Sequence, residues 1–181
     1  MALGFSGCQS ENQKNQDAYR KIGINSMAEG DYDKAVKSFQ KALDTSLGKI
    51  GAEEIDICYY KAAAQFAKKD YDGAIETYTS LIDYDKENAN AYYLRGSVYL
   101  DTDKKDKAFK DYKNAVKYAG REYEIYEGIY ENLTNKGETE EAKNYLKKAL
   151  DIKPKDGADY AEQGHVYYLL EDYTQAKSSL D

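Results

Sequence analysis

Residues 31–43 read Asp-Tyr-Asp-Lys-Ala-Val-Lys-Ser-Phe-Gln-Lys-Ala-Leu, and their pattern returns down the chain. Ala35 is followed by Ala74, Ala108, Ala142 and Ala176, at intervals of 39, 34, 34 and 34 residues. Four residues after these alanines stand Phe39, Tyr78, Tyr112, Leu146 and Leu180. Seven after them stand Ala42, Leu81, Ala115 and Ala149, and twelve before them Gly23, Ala62, Gly96 and Gly164. A fixed period of this length, with small and large apolar residues each keeping one phase, predicts helix pairs stacked as a solenoid.

The phased set resembles the tetratricopeptide repeat family. That resemblance implies an all-α, right-handed superhelix of about four and a half helix-turn-helix repeats. The repeats are expected over 16–54, 55–88, 89–122, 123–156 and 157–181. In the first, helices are predicted over 17–28 and 31–47, with Gly30 supplying a positive φ and Asp31 capping the second helix. Gly23 and Ala35 lack bulk, so the two helices can approach closely while Phe39 fills the space beyond. The five extra residues of the first interval are placed in 46–54, where Gly48 and Gly51 predict a longer loop. Cys58 holds the phase of Tyr19, Tyr92, Tyr126 and Tyr160, and reads as an inert packing residue. The fourth repeat departs most. Tyr130 stands at the phase of Gly23, with Gly128 nearby to relieve the crowding, and Pro154 closes the repeat.

Composition narrows the function. A third of the 181 residues are charged, the net charge is −7, and lysines alternate with acids, which argues against a nucleic-acid backbone as partner. The chain holds 20 tyrosines but no tryptophan. Its two cysteines, Cys8 and Cys58, form no metal-ligand spacing. Residues 101–112 resemble a calcium loop superficially, but the sixth position is not glycine and the twelfth is Tyr112 rather than glutamate. The sole histidine, His165, has no acid or nucleophile in motif spacing, and no phosphate-binding loop, hydrolase elbow or zinc-protease helix is present. The reading is therefore a non-catalytic protein without cofactor or metal.

Residues 5–8, Phe-Ser-Gly-Cys, resemble the lipobox of bacterial lipoproteins, with Phe5 where that family more often has leucine. The charged and most of the apolar part of a signal are missing, so 1–15 reads either as a truncated lipoprotein signal and tether or as the start of a cytoplasmic chain. On the first reading Cys8 carries the lipid and the protein is held outside the cytoplasmic membrane.

The first helix of each repeat has two faces: one meets the second helix, and the resemblance places the other on the concave side of the superhelix. That second face carries Arg20, Ile24 and Met27, then Tyr59 and Phe66, then Tyr93 and Leu100, at helical spacing. In the fourth repeat Glu124, Glu127 and Glu131 make it acidic, and in the fifth it carries His165 and Tyr168. Such a groove suits a protein or peptide with apolar anchors and basic residues, in a cell-envelope complex. The family's carboxylate clamp is not reproduced, since Arg20, Ile24, Asn90 and Leu94 stand at its positions. The alternative is a structural module that self-associates through its last repeat as a homo-oligomer.

Overall fold

The computed structural model describes residues 11–46, 48 and 50–179. Ten α-helices lie among them: α1 Glu11–Ala28, α2 Tyr32–Thr45, α3 Ala52–Ala67, α4 Tyr71–Tyr84, α5 Ala89–Asp101, α6 Lys105–Tyr118, α7 Tyr123–Asn135, α8 Thr139–Ala149, α9 Gly157–Leu169 and α10 Tyr173–Ser178. The expected all-α class of paired helices is observed. Helices α1–α4 form one compact unit and α5–α10 another.

All five helix pairs turn in the same way. The amide of the residue after the turn reaches back five residues: Asp31 to the Ser26 carbonyl, Asp70 to Gln65, Lys104 to Tyr99, Glu138 to Leu133 and Asp172 to Tyr167, at 2.8–2.9 Å. The residue before it takes a positive φ: Gly30 at 76°, Lys69 at 67°, Asp103 at 57°, Gly137 at 81° and Glu171 at 65°. This is a Schellman closure, which satisfies the last carbonyls of each first helix. Asp31 then caps α2 by accepting from the Lys34 amide at 3.1 Å, and Asp172 caps α10 by accepting from Gln175 at 3.1 Å. Lysine and glutamate hold the left-handed turn at two places where glycine holds it at two others. The geometry therefore belongs to the repeat, not to glycine.

In the first unit, Ala35, Phe39, Ala42, Ile57 and Ala64 form a core, with Tyr19, Ile24, Met27, Val36, Leu43 and Tyr60 packed on it. A Cβ built on Gly23 would stand 2.5 Å from the Phe39 ring, so close helix approach is what this glycine permits. Helix α1 starts earlier than expected, and residues 11–15 belong to it rather than to a tether. The cause is polar: Gln13 donates to Glu53 at 2.6 Å, and the buried Gln16 donates to Glu54 at 2.7 Å. Those bonds tie the first turns of α1 to α3.

In the second unit, Tyr112, Ile129, Leu133, Leu146 and Val166 are fully buried in one cluster. Gly96 meets the Tyr112 ring as Gly23 meets Phe39, with a built Cβ 2.8 Å away. The fourth repeat exchanges the bulk: Tyr130 supplies the ring from the first helix, and Leu146 replaces the aromatic on the second. The sequence predicts that Gly128 relieves the crowding at Tyr130, and the structure gives it another neighbour. It faces Tyr93 of α5, whose hydroxyl a Cβ at this position would overlap.

Candidate interaction surface

On the first unit, α1 and α3 present the residues expected to line the groove. Arg20 Nε donates to Asp56 Oδ2 at 2.9 Å, Nη2 contacts the same oxygen, and the guanidinium lies 5.3 Å from the Tyr60 ring centre. Arg20 is thus a strut between two helices. Beside it opens a cleft of about 590 Å³ lined by Asp17, Lys21, Ile24, Glu53 and Asp56. Burial, then the neighbouring Asp17 carboxyl, holds the Glu53 carboxyl above its ordinary value. Tyr59 and Phe66 are half-buried, engaged by Tyr78 (6.3 Å between ring centres) and Tyr71 (5.6 Å) on α4. Ile24 and Met27 pack partly on the core. These four apolar residues offer edges to a partner rather than whole side chains.

On the second unit, Leu100 is corrected outright. It is 2% exposed and belongs to the core, in the buried apolar cluster that also holds Ala108, Tyr112 and Leu133. Tyr93 is half-buried against Tyr112, with ring centres 6.4 Å apart. Next to it sits a polar knot absent from the sequence reading: Asn132 Nδ2 donates to Ser97 Oγ at 2.8 Å and to the Tyr112 hydroxyl at 3.4 Å. Asn132 stands at the phase of Ala64, Val98 and Val166, which are buried, but also of Asn25, which is exposed, so the phase alone does not signal the knot.

The acidic stripe of α7 divides by role. Glu124 and Glu131 are exposed, whereas Glu127 is half-buried and lies 2.8 Å from His165 Nδ1 on α9. Burial raises the Glu127 carboxyl above its ordinary value, with the His165 contact opposing. That contact sets α9 beside the α7 stripe. Tyr168, three residues beyond His165, is 59% exposed and meets Tyr173 edge-on at 5.7 Å. Cys8 lies outside the described residues, as does Leu180. Among the described residues no helix is long and apolar enough to cross a membrane.

Cys58 on α3 is half-buried and a free thiol, and burial raises its pKa, in keeping with an inert packing residue. It also lines a cavity of about 250 Å³ with Leu43, Ile50, Ile55, Leu81 and Tyr84. One repeat on, Tyr92 stands at the phase of Cys58 and stacks on Tyr118, which stands at the phase of Tyr84. The cavity is the room a ring would take.

Family comparison agrees with the helix-pair pattern. Three tetratricopeptide repeat models match, one over 20–78, one described as TPR repeat over 62–103, and one over 89–121 and 131–156. The chain belongs to the tetratricopeptide repeat family. No curated protein matches it. Among solved structures it is similar to MamA, with 21% identity, 92% of this chain and 88% of that one covered, and a TM-score of 0.58. A thermophilic TPR protein of Thermus thermophilus matches with 17% identity, coverage of 91% and 87%, and a TM-score of 0.59. Pseudomonas aeruginosa pilF matches with 17% identity, coverage of 94% and 75%, and a TM-score of 0.59. At these identities the likeness shows the fold. Proteins of this family generally act as non-catalytic scaffolds for protein interaction.

Proposed function

We propose that this TPR protein is a non-catalytic scaffold that holds a protein or peptide on the first-helix faces of its repeats, in a bacterial cell-envelope complex. The observation carrying the reading is the Glu127–His165 contact at 2.8 Å, which joins the α7 stripe of exposed Glu124 and Glu131 to α9, the helix that carries the exposed Tyr168. Such a surface suits a segment with Lys or Arg for the carboxylates and an apolar side chain for the tyrosine. Charge would steer and orient it while the aromatic anchors it. Panning a random peptide library on the whole protein tests this. Enriched peptides are expected to combine basic and apolar residues, and to lose binding to Glu124→Lys/Glu131→Lys at low salt. Acidic peptides, or basic ones indifferent to the double reversal, would sink the reading.

Membrane attachment through a lipid on Cys8 belongs to the same proposal, supported by the Phe-Ser-Gly-Cys sequence. Expression of the gene in its host, followed by mass analysis of the N-terminal peptide, decides it. An unmodified Cys8 in cytosolic protein ends the envelope assignment. A second reading, self-association through the last repeat, is favoured by Tyr160, Tyr168 and Tyr173, which are 49%, 59% and 61% exposed. Light scattering on Tyr168→Glu/Tyr173→Glu distinguishes it, since a dimer held there becomes monomeric.

A further inference from the structure

The chain's only histidine is placed between two carboxylates, one of which linear spacing does not reveal. Glu162 and His165 lie three residues apart on α9, hence on one face of one turn. Glu127 comes from α7, 38 residues away in sequence, with its Oε1 2.8 Å from His165 Nδ1. One donor atom from each of the three lies within 4.8 Å of the others. From Glu127, Glu162 and His165 converging in this way, we propose that the second unit carries a binding site for a divalent first-row transition metal, Zn²⁺ as the reference ion.

The donor set argues for this class of ion. Ligands on a tetrahedral Zn²⁺ at about 2.0–2.2 Å stand roughly 3.3–3.6 Å apart. The three side chains therefore reach that geometry by small rotations about their outer torsions, without backbone change. An imidazole nitrogen with two carboxylates selects a borderline metal over Ca²⁺ or Mg²⁺, which prefer oxygen alone. A Glu-x-x-His turn on one helix facing a glutamate on another is also how helical proteins present donors to such ions. Charge agrees: two carboxylates brought this close repel each other, and a dication between them removes that repulsion. Three protein donors leave a position open to water on the exposed side of His165. The ion would clamp α9 to α7, replacing one hydrogen bond by three metal bonds.

The single histidine makes the test clean. The whole chain, with Cys8→Ser and Cys58→Ser to remove competing thiols, is stripped with chelator and titrated with ZnCl₂ while the His165 imidazole resonances are followed by NMR. Saturation at one equivalent is expected, with micromolar or tighter affinity in calorimetry and a rise in Tm of about 5 °C at saturation. Glu162→Gln and Glu127→Gln are each expected to weaken binding at least about tenfold; circular dichroism checks that both stay folded. An unmoved His165 signal in excess Zn²⁺ overturns the proposal. So does a shift that both glutamine variants retain, which would mark an exposed histidine binding metal alone. The peptide test uses Glu124 and Glu131, which are not donors here, so either reading can fail without the other.

Discussion

Arg95 of α5 and Asp111 of α6 meet in two parallel hydrogen bonds, Nε to Oδ2 at 2.7 Å and Nη2 to Oδ1 at 2.9 Å. Their side chains are 15% and 4% exposed, and the guanidinium also lies 5.7 and 5.9 Å from the ring centres of Tyr92 and Tyr99. The pair is a buried clamp within one helix hairpin. Removing one member strands the other charge, so Asp111→Ala is expected to cost about 3–5 kcal/mol. Replacing both, as Arg95→Met/Asp111→Leu, should cost far less. Urea denaturation of the two variants checks this, and equal losses would show that the pair stabilises as a pair rather than by charge satisfaction.

The turns make an opposite prediction. Lys69 and Glu171 are exposed and hold positive φ, a conformation that strains an L-residue by about 1–2 kcal/mol. Glycine removes that strain and returns part of it as unfolded-state entropy. Lys69→Gly and Glu171→Gly should therefore each stabilise by about 0.5–1 kcal/mol. Gly30→Ala and Gly137→Ala should destabilise by a similar amount. Thermal melts of the four variants test the set, and a loss on either glycine substitution would contradict it.

The cavity beside Cys58 should accept a ring. Cys58→Phe places an aromatic where Tyr92 stands one repeat later, against Tyr84 and the walls of the 250 Å³ space. A gain of about 1–2 kcal/mol is expected from the buried surface. Denaturant midpoints measure it; an unchanged or lower midpoint means the walls do not yield to a ring.

Alkaline pH should weaken the fold through two buried phenols. Burial holds Tyr112 and Tyr145 up to about 12, against an ordinary value of 10.0. Below pH 10 both states keep these protons and the full stability is present. As pH rises from 10 towards 12 the unfolded chain releases them while the folded chain does not, so stability falls, by up to about 2 kcal/mol for each group. Tyr112→Phe should flatten this slope. Urea midpoints across that range are the measurement, and a variant with the parent slope would reject the assignment.

The Zn²⁺ titration and the peptide panning complete the tests, one addressed to Glu127, Glu162 and His165 and one to the exposed Glu124 and Glu131.

The hairpins follow from the order of residues alone. Small residues at Gly23 and Gly96 and large ones at Phe39 and Tyr112 are neighbours through local connection, so their phase alone predicts the contact that the structure shows. Turn closure is legible at Gly30 for the same reason, since a Schellman motif spans only six residues, whereas Lys69, Asp103 and Glu171 carry no such signal in the sequence. What a groove residue offers to a partner was not legible. Arg20, Tyr59 and Leu100 stand at groove phases, yet one is a strut, one leans on Tyr78 and one is in the core. Helical spacing assigns a side chain to a face, but its depth depends on residues from other helices. His165 makes the point most sharply. In sequence it reads as a surface residue with Glu162 three positions before it, and only the stacking of the fifth repeat on the fourth brings Glu127 to it. Periodicity encodes contacts between helices of one repeat; chemistry at this site comes from side chains of two repeats, whose meeting is fixed by tertiary packing.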